Sequence, residues 1–556
     1  MATDVRDLTD VEEMDVADLS DVMDEDIDLS VTDLRDVMGR DLPHVADLIN
    51  GDECREAGIS WLSETESSTS PVGKTASMTS NVSLSLRLKP ELLRGTPLSA
   101  ALSGFCQHWA GLSCGPERGA LFNLGRAVLS IDVFLSHDWA TSRWMKLLAL
   151  VLYFNSRAAA IASLLWSIAL GVAKTQLGTI LQGELWTFSC YPVFLVVLFF
   201  WQRIRSCFVS PWMVFLDKLC IHQENDELKQ LGILGLGAFV RRSNRLLMLW
   251  SKRTFGRLWC AYEVACFLNY RPMEQLEILP VTVAAILFLM STLWHVIIFS
   301  FVLAREALAG DSHSDLIFLC AVYTPCVSLV IPLVNYYGLG LMDDLDQLPQ
   351  QLESFQIQAC ECFCCSNSHK HPDSGEEMIC DRQLVYEMLA NLYSVQKMQG
   401  DPLDSFNKRI QEELRPQILR QLRLNLGLKY MASLVLVSNL PELSTVIWDI
   451  SRGPALPMSG FDYAAWCARL VIHWLHLFLV MVFSLTFSRH LWKLRNIPFF
   501  RSKLLCSICL APIQCIVVGV LEAGMELALA KTSETSLLPL LPFLIELTLN
   551  IFLHYL

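Results

Sequence analysis

Apolar residues in this chain gather into long runs separated by polar connectors. Eight such runs lie at 147–173, 185–201, 281–303, 316–341, 430–450, 464–487, 504–530 and 537–556. About 20 consecutive apolar residues carry a helix across the hydrocarbon core of a bilayer. The pattern therefore predicts a multi-pass α-helical membrane protein with about eight spans. The second run is short, and the fifth is interrupted by Pro441 and Glu442.

Two stretches have a different rhythm. Residues 127–143 hold Val128-Leu129-Ser130-Ile131-Asp132-Val133-Phe134-Leu135, an apolar β-rich run that ends in Ser136, His137, Asp138 and Trp139. Residues 212–281 alternate strand-like runs (213–217, 246–250, 276–281) with helix-like stretches. Such alternation predicts a parallel sheet covered on both faces. The expected organisation is a water-soluble α/β domain in two segments, 127–157 and 206–282, split by a membrane hairpin at 158–205. Spans 3 and 4 follow at 283–341, a polar Cys/His-rich and helical region at 342–429, and spans 5 to 8 at 430–556. Leu384, Met388, Leu389 and Leu392, then Ile410, Leu414, Ile418 and Leu422, recur at helical spacing. They predict helices that pack on the α/β domain.

Composition agrees with lipid as the main partner: 53% of residues are hydrophobic and 18% charged, with a mean hydropathy of +0.39. The net charge of -14 is local. The first 53 residues hold 18 acidic side chains against Arg6, Arg35 and Arg40, and the rest is near neutral, so no nucleic-acid face is implied. Residues 1–90 read as a disordered tail, acidic at first and then rich in Ser and Thr. No basic region followed by an apolar stretch marks a cleaved leader at the start. Asn81-Val82-Ser83 is a glycosylation sequon on the side predicted to be cytosolic. Connectors on one side carry Lys174, Arg305, Arg452 and Lys531, whereas those on the other carry the clusters at 203–205, 241–257, 342–429 and 489–503. Positive residues stay inside, so both termini and the α/β domain are expected in the cytosol. The chain alone does not choose between plasma membrane and endomembrane.

Four segments, in order, resemble the TIR domain family. Asp132-Val133-Phe134-Leu135-Ser136 is similar to its opening strand, and Ser243 to Ser251 to its Ser-Arg strand. Trp259-Cys260-Ala261-Tyr262-Glu263 looks like its Trp-Cys-x-x-Glu signature, and Ile278-Leu279-Pro280-Val281 like its Leu-Pro-Val strand. With the hairpin's 48 residues set aside, Asp132 and Glu263 stand 83 positions apart, a plausible reach for such a domain. The loop Asp217-Lys218-Leu219-Cys220-Ile221-His222-Gln223 departs from the family and is more similar to the Asp-x-x-Cys-Ile-x-Gln element of fungal HET domains. The whole arrangement also looks like a set of multi-pass proteins in dinoflagellate algae. The TIR resemblance covers about a fifth of the chain.

The resemblance implies two roles: signalling by self-association, and cleavage of NAD at the nicotinamide–ribose bond. For the second, Glu263 is the catalytic candidate, an anionic carboxylate that stabilises an oxocarbenium-like transition state. Ser136, His137, Asp138 and Trp259 are the cofactor-binding candidates. A carboxylate in the first turn of a helix is also favoured by the helix dipole alone, and many TIR domains only assemble. Asp217 and His222 lie five positions apart and need not meet. Cys360, Cys362, Cys364, Cys365, His369, His371 and Cys380 form a dense Cys/His cluster suited to zinc. Acylation near a span or plain reduced thiols are the competing readings. Glu442, Glu522, Glu526, Glu546, His295, His473 and His476 fall within apolar runs, where ionisable groups are functional suspects. They keep transport open as a second class.

Overall fold

The computed structural model describes residues 88–109, 121–177, 185–307, 312–370, 375–394, 400–425, 428–454, 457–496 and 502–555. The acidic tail before residue 88 lies outside them, sequon included. Six strands make one sheet: β1 (Arg94–Pro97), β2 (Arg126–Ala127), β3 (Ile131–His137), β4 (Met213–Phe215), β5 (Ser243–Trp250) and β6 (Leu276–Pro280). Their order is β2-β1-β4-β3-β5-β6. β4, β3, β5 and β6 run parallel, and β1 closes the edge antiparallel to β4. Taken alone, the parallel strands have the order 2-1-3-4 of a doubly wound sheet, with its reversal point beside β3.

Strands β3 and β5 are largely buried because both faces are covered. The Phe134 and Phe215 rings stack with centroids 4.5 Å apart, and Phe239 joins them at 4.7 Å. Asp132 holds the register of the parallel pair, since its Oδ2 accepts the Met213 amide at 2.7 Å. β1 and β2 were not expected from the pattern. They are short and lack an apolar run; β1 pairs with the open edge of β4, and β2 with β1.

The crossover from β3 to β4 is made by two apolar helices, α1 (Arg143–Gln176) and α2 (Cys190–Ser206). The hairpin is therefore no separate insertion after a first soluble helix. α1 is one rod of 34 residues, roughly 51 Å long at helical rise. No proline interrupts it, so nothing ends the helix where it leaves the sheet. α3 (Asp226–Leu234) and α4 (Leu236–Arg241) link β4 to β5, and α5 (Leu258–Tyr270) links β5 to β6. α6 (Val281–Ala307) begins on the residue after β6 ends, and α7 (Ser312–Glu353) follows with 42 residues.

Then come α8 (Asp381–Ser394), α9 (Pro402–Lys408) and α10 (Arg415–Asn425). With the π-helical turn Arg409–Leu414 that joins α9 to α10, they bury Leu389, Ile410, Leu414 and Ile418. Arg409 donates to the Leu268 carbonyl at 2.8 Å and Gln421 to the Leu276 carbonyl at 2.8 Å, so this segment docks on α5 and β6. The last part holds α11 (Leu428–Ser438), α12 (Leu440–Arg452), α13 (Gly460–Trp492), α14 (Lys503–Ala530) and α15 (Leu540–Tyr555).

Among the described residues, five helices are long and apolar enough to cross a membrane: Arg143–Gln176, Trp186–Ser206, Val281–Ser300, Gly460–Trp492 and Lys503–Ala530. The fifth predicted run is instead a pair, α11 and α12, bent by 46°. The bend follows from Asn439 and Pro441, since proline cannot donate within the helix. The eighth run forms a helix of 16 residues, roughly 24 Å and so short of a full crossing. The fourth run is the first part of α7, which continues well beyond the apolar stretch.

Candidate functional site

The ends of β3 and β4 and the start of α5 converge on a cavity of about 220 Å³. Its polar lining comes from β3 (His137), the turns after β3 and β4 (Trp139, Asp217), the start of α5 (Arg257, Trp259, Cys260, Glu263) and the start of α8 (Asp381). The carboxyl ends of parallel strands are where open α/β sheets bind ligands. Chain direction fixes this. Every βα turn must leave the sheet at that end, so the polar residue after each apolar strand collects there.

Trp139 Nε1 donates to Asp217 Oδ2 at 3.0 Å, and Trp259 Nε1 to Asp381 Oδ2 at 3.3 Å. Two indoles thus hold two carboxylates on the cavity wall. Asp138, 2% exposed, lies 3.9 Å from both Arg253 and Arg257. The His137 ring packs between Trp109 and Trp139, with centroids 4.8 and 4.5 Å away. Lys146, fully buried in the first turn of α1, puts its ammonium 5.3 Å from the centre of Trp139.

Burial shapes the protonation states. It pushes the Glu263 carboxyl up to about 8; the Ser136 hydroxyl beside it pulls the other way, and the Asp217 charge adds to the rise. Burial also raises Asp217, against the Lys218 amide and the Trp139 indole that bond it. The His137 imidazole is held well below its ordinary range by burial and by the Lys146 charge, so it is neutral near pH 7. The Cys260 thiol is raised by burial and by Glu263, and it donates to the His137 carbonyl at 3.5 Å.

Buried polar atoms are nearly always hydrogen-bonded. Among the described residues, Ser136 Oγ, His137 Nε2, Asp138 Oδ2, Lys146 Nζ and Glu263 Oε2 have no hydrogen-bond partner. Five such atoms are gathered on residues at this one strand end. A larger cavity of about 370 Å³ lies between α1, β5, β6 and α6. Its polar groups bond each other: Tyr153 donates to Glu277 at 2.7 Å, and Arg245 pairs with Glu277 at 3.6 Å.

Glu263, His137 and Trp259 line the cleft, with Ser136 and Asp138 beside them. Asp217 also lines it but does not pair with His222. The His222 Nδ1 instead accepts the amides of Glu224 and Asn225 at 3.2 and 2.9 Å. Sequence reasoning gave no role in this cleft to Asp217, Lys146, Arg257, Trp139 and Asp381. Asp217 and Trp139 carried a signal, as residues that follow an apolar strand. Lys146 is hidden at the mouth of an apolar run, and Asp381 arrives from more than 100 residues further along.

The cysteine-rich segment splits differently from the seven-residue cluster. Cys364, Cys365, His369 and Cys380 place their ligand atoms within 4.8 Å of one another. Cys362 falls in a second, overlapping set with Cys364 and Asp381, its sulfur 3.0 Å from that of Cys364. Cys360 turns away to the Phe255 carbonyl at 3.6 Å, and His371 lies outside the described residues. No family profile, curated protein or solved structure matches the chain.

Proposed function

We propose that this chain is a membrane-anchored signalling protein whose cytosolic sheet is a TIR-like domain that binds NAD in the cleft and cleaves its nicotinamide–ribose bond. The observation that carries this reading is the set of unpartnered buried polar atoms around Glu263, at the strand ends beside the reversal of strand order. The cavity suits a nucleoside-sized group rather than a whole dinucleotide. The nicotinamide riboside end enters, and the diphosphate lies outward against Arg253 and Arg257 at the rim. The acidic wall of Asp217, Glu263 and Asp381 suits the cationic nicotinamide ring.

In the reaction the C1′–N bond breaks and its electron pair returns to the pyridine nitrogen, so nicotinamide leaves neutral. Water adds to C1′ and loses a proton, giving ADP-ribose. Positive charge on the ribose peaks between these events, and ionised Glu263 stabilises it. The ligand's own positive charge favours that ionised form. Self-association of the domain orders the cleft for turnover. The test is nicotinamide release by the full chain in detergent or nanodiscs, with and without clustering. Release lost in Glu263→Ala and kept in His222→Ala supports the enzyme. No release from clustered wild type leaves a scaffold that only assembles.

A second reading, proton-coupled transport, has one specific observation in its favour. His476 on α13 is fully buried, with Nδ1 2.6 Å from Glu546 of α15 and Nε2 3.2 Å from Glu522 of α14. His473, one turn away, lies 3.8 Å from Glu442 and 3.5 Å from Glu526. Imidazoles that bridge carboxylates among apolar helices are the parts of a proton relay. Proton-driven uptake by reconstituted vesicles, abolished in His476→Ala, would favour it over signalling.

A further inference from the structure

We propose that Cys364, Cys365, His369 and Cys380 bind one Zn²⁺ in a closed structural site that fixes the α8 wall of the cleft. The sulfurs of Cys364 and Cys365 are 3.9 Å apart, and those of Cys365 and Cys380 are 3.9 Å apart. Zinc–thiolate bonds of about 2.3 Å in a tetrahedron separate sulfurs by roughly 3.8 Å. Two edges of the donor set thus already have the length of a zinc tetrahedron's edge, and all four donor atoms lie within 4.8 Å of one another.

The backbone is folded to hold them there. His369 N donates to the Cys364 carbonyl at 2.8 Å, which returns the chain onto the first two cysteines. Ser368 and His369 take left-handed φ values of 52° and 58°, conformations that side-chain-bearing residues avoid without cause. Met378 N then donates to the His369 carbonyl at 2.8 Å, and Lys370 pairs with Glu377 in a short antiparallel bridge that delivers Cys380. The Asp381 amide points at the Cys364 sulfur at 3.2 Å, the kind of N–H contact that favours a thiolate. Cys364 is 2% exposed, which disfavours acylation there. Soft sulfur with one imidazole selects zinc over the hard cations, and four protein donors leave no open position for catalysis.

The site is tied to the cleft. Asp381, next to Cys380, accepts the Trp259 indole N–H. Leu258 N donates to the Glu361 carbonyl at 3.1 Å, and Arg257 bridges to the same residue. Zinc therefore sets the position of the segment that carries Trp259 and Arg257, whatever the cleft binds.

Metal analysis of the full chain purified in detergent tests this. About one zinc per chain is expected. Cys365→Ser with Cys380→Ser should lose it, whereas Cys207→Ser and Cys362→Ser should keep it. Should the double variant misfold, cobalt exchanged into wild type decides: visible bands of tetrahedral cobalt–thiolate are expected. Folded wild type that takes up no zinc at equimolar metal, or zinc retained by the folded double variant, would overturn the proposal. So would Cys365 and Cys380 recovered as thioesters, or exchanged cobalt without thiolate bands.

Discussion

Glu263 concentrates the physical tension of the site. Its carboxyl titrates near 8 in the folded chain against an ordinary 4.5. Folding thus favours the protonated form, and the stability this gives is complete below about 4.5 and is lost as pH rises through 8. Glu263→Gln removes the titration. The variant should melt higher than wild type at pH 8, with little difference at pH 4.5, which thermal unfolding at the two pH values will check. The same substitution should lower nicotinamide release by about 100-fold or more. In wild type, kcat/KM should rise with pH as Glu263 ionises and level off above about 8. A residue that costs stability where it is ionised, with release lost on its substitution, would fit a functional role better than a packing one. Trp259 and Glu263 were legible because a short motif named them. Lys146 and Asp381 were not, because their place in the cleft depends on which elements meet.

At the scale of elements, the sheet and the membrane helices are joined with almost no slack. α1 is continuous from the sheet into the apolar hairpin, and α6 starts where β6 stops. The strands β3 to β6 were readable from apolar runs and polar ends, since a buried parallel strand needs that pattern. The continuity of α1 was not, because soluble and membrane-facing helical turns of similar composition differ only in what surrounds them. Close helix contacts were hidden for a related reason, since small residues have no hydropathy signature of their own. A Cβ added at Gly338 of α7 would sit 2.3 Å from the Trp492 ring, and that indole is held by its bond to Asn335 Oδ1 at 2.8 Å. Gly338→Ala should therefore destabilise the chain by roughly 1–3 kcal/mol. Gly340→Ala, with open space at its Cβ, should be near neutral. Thermal melts of both variants in one detergent compare them.

For the whole molecule, the path of the chain separates two ends of the sheet. His137, at the carboxyl end of β3, faces the cleft, whereas α2 returns from the hairpin to the amino end of β4. α1 and α2 together connect the two central strands, β3 and β4, so the hairpin is continuous with the middle of the sheet. Topology is testable with an impermeant thiol reagent on sealed vesicles of known orientation. Cys207, exposed after α2, should label from the cytosolic side. A cysteine at Ser533, in the exposed connector after α14, should label from the opposite side in a variant lacking Cys207. Labelling of both from one side would contradict the arrangement. The hydropathy pattern made the membrane class plain. It could not fix the number of crossings, because Pro441 divides one run and α15 is short.

The most direct measurement is a structure of the full chain in nanodiscs with an uncleavable NAD analogue. The account predicts density for the nicotinamide riboside between Glu263 and Ser136, with the diphosphate beside Arg257. An empty cleft at saturating analogue, or analogue bound elsewhere on the protein, would contradict it.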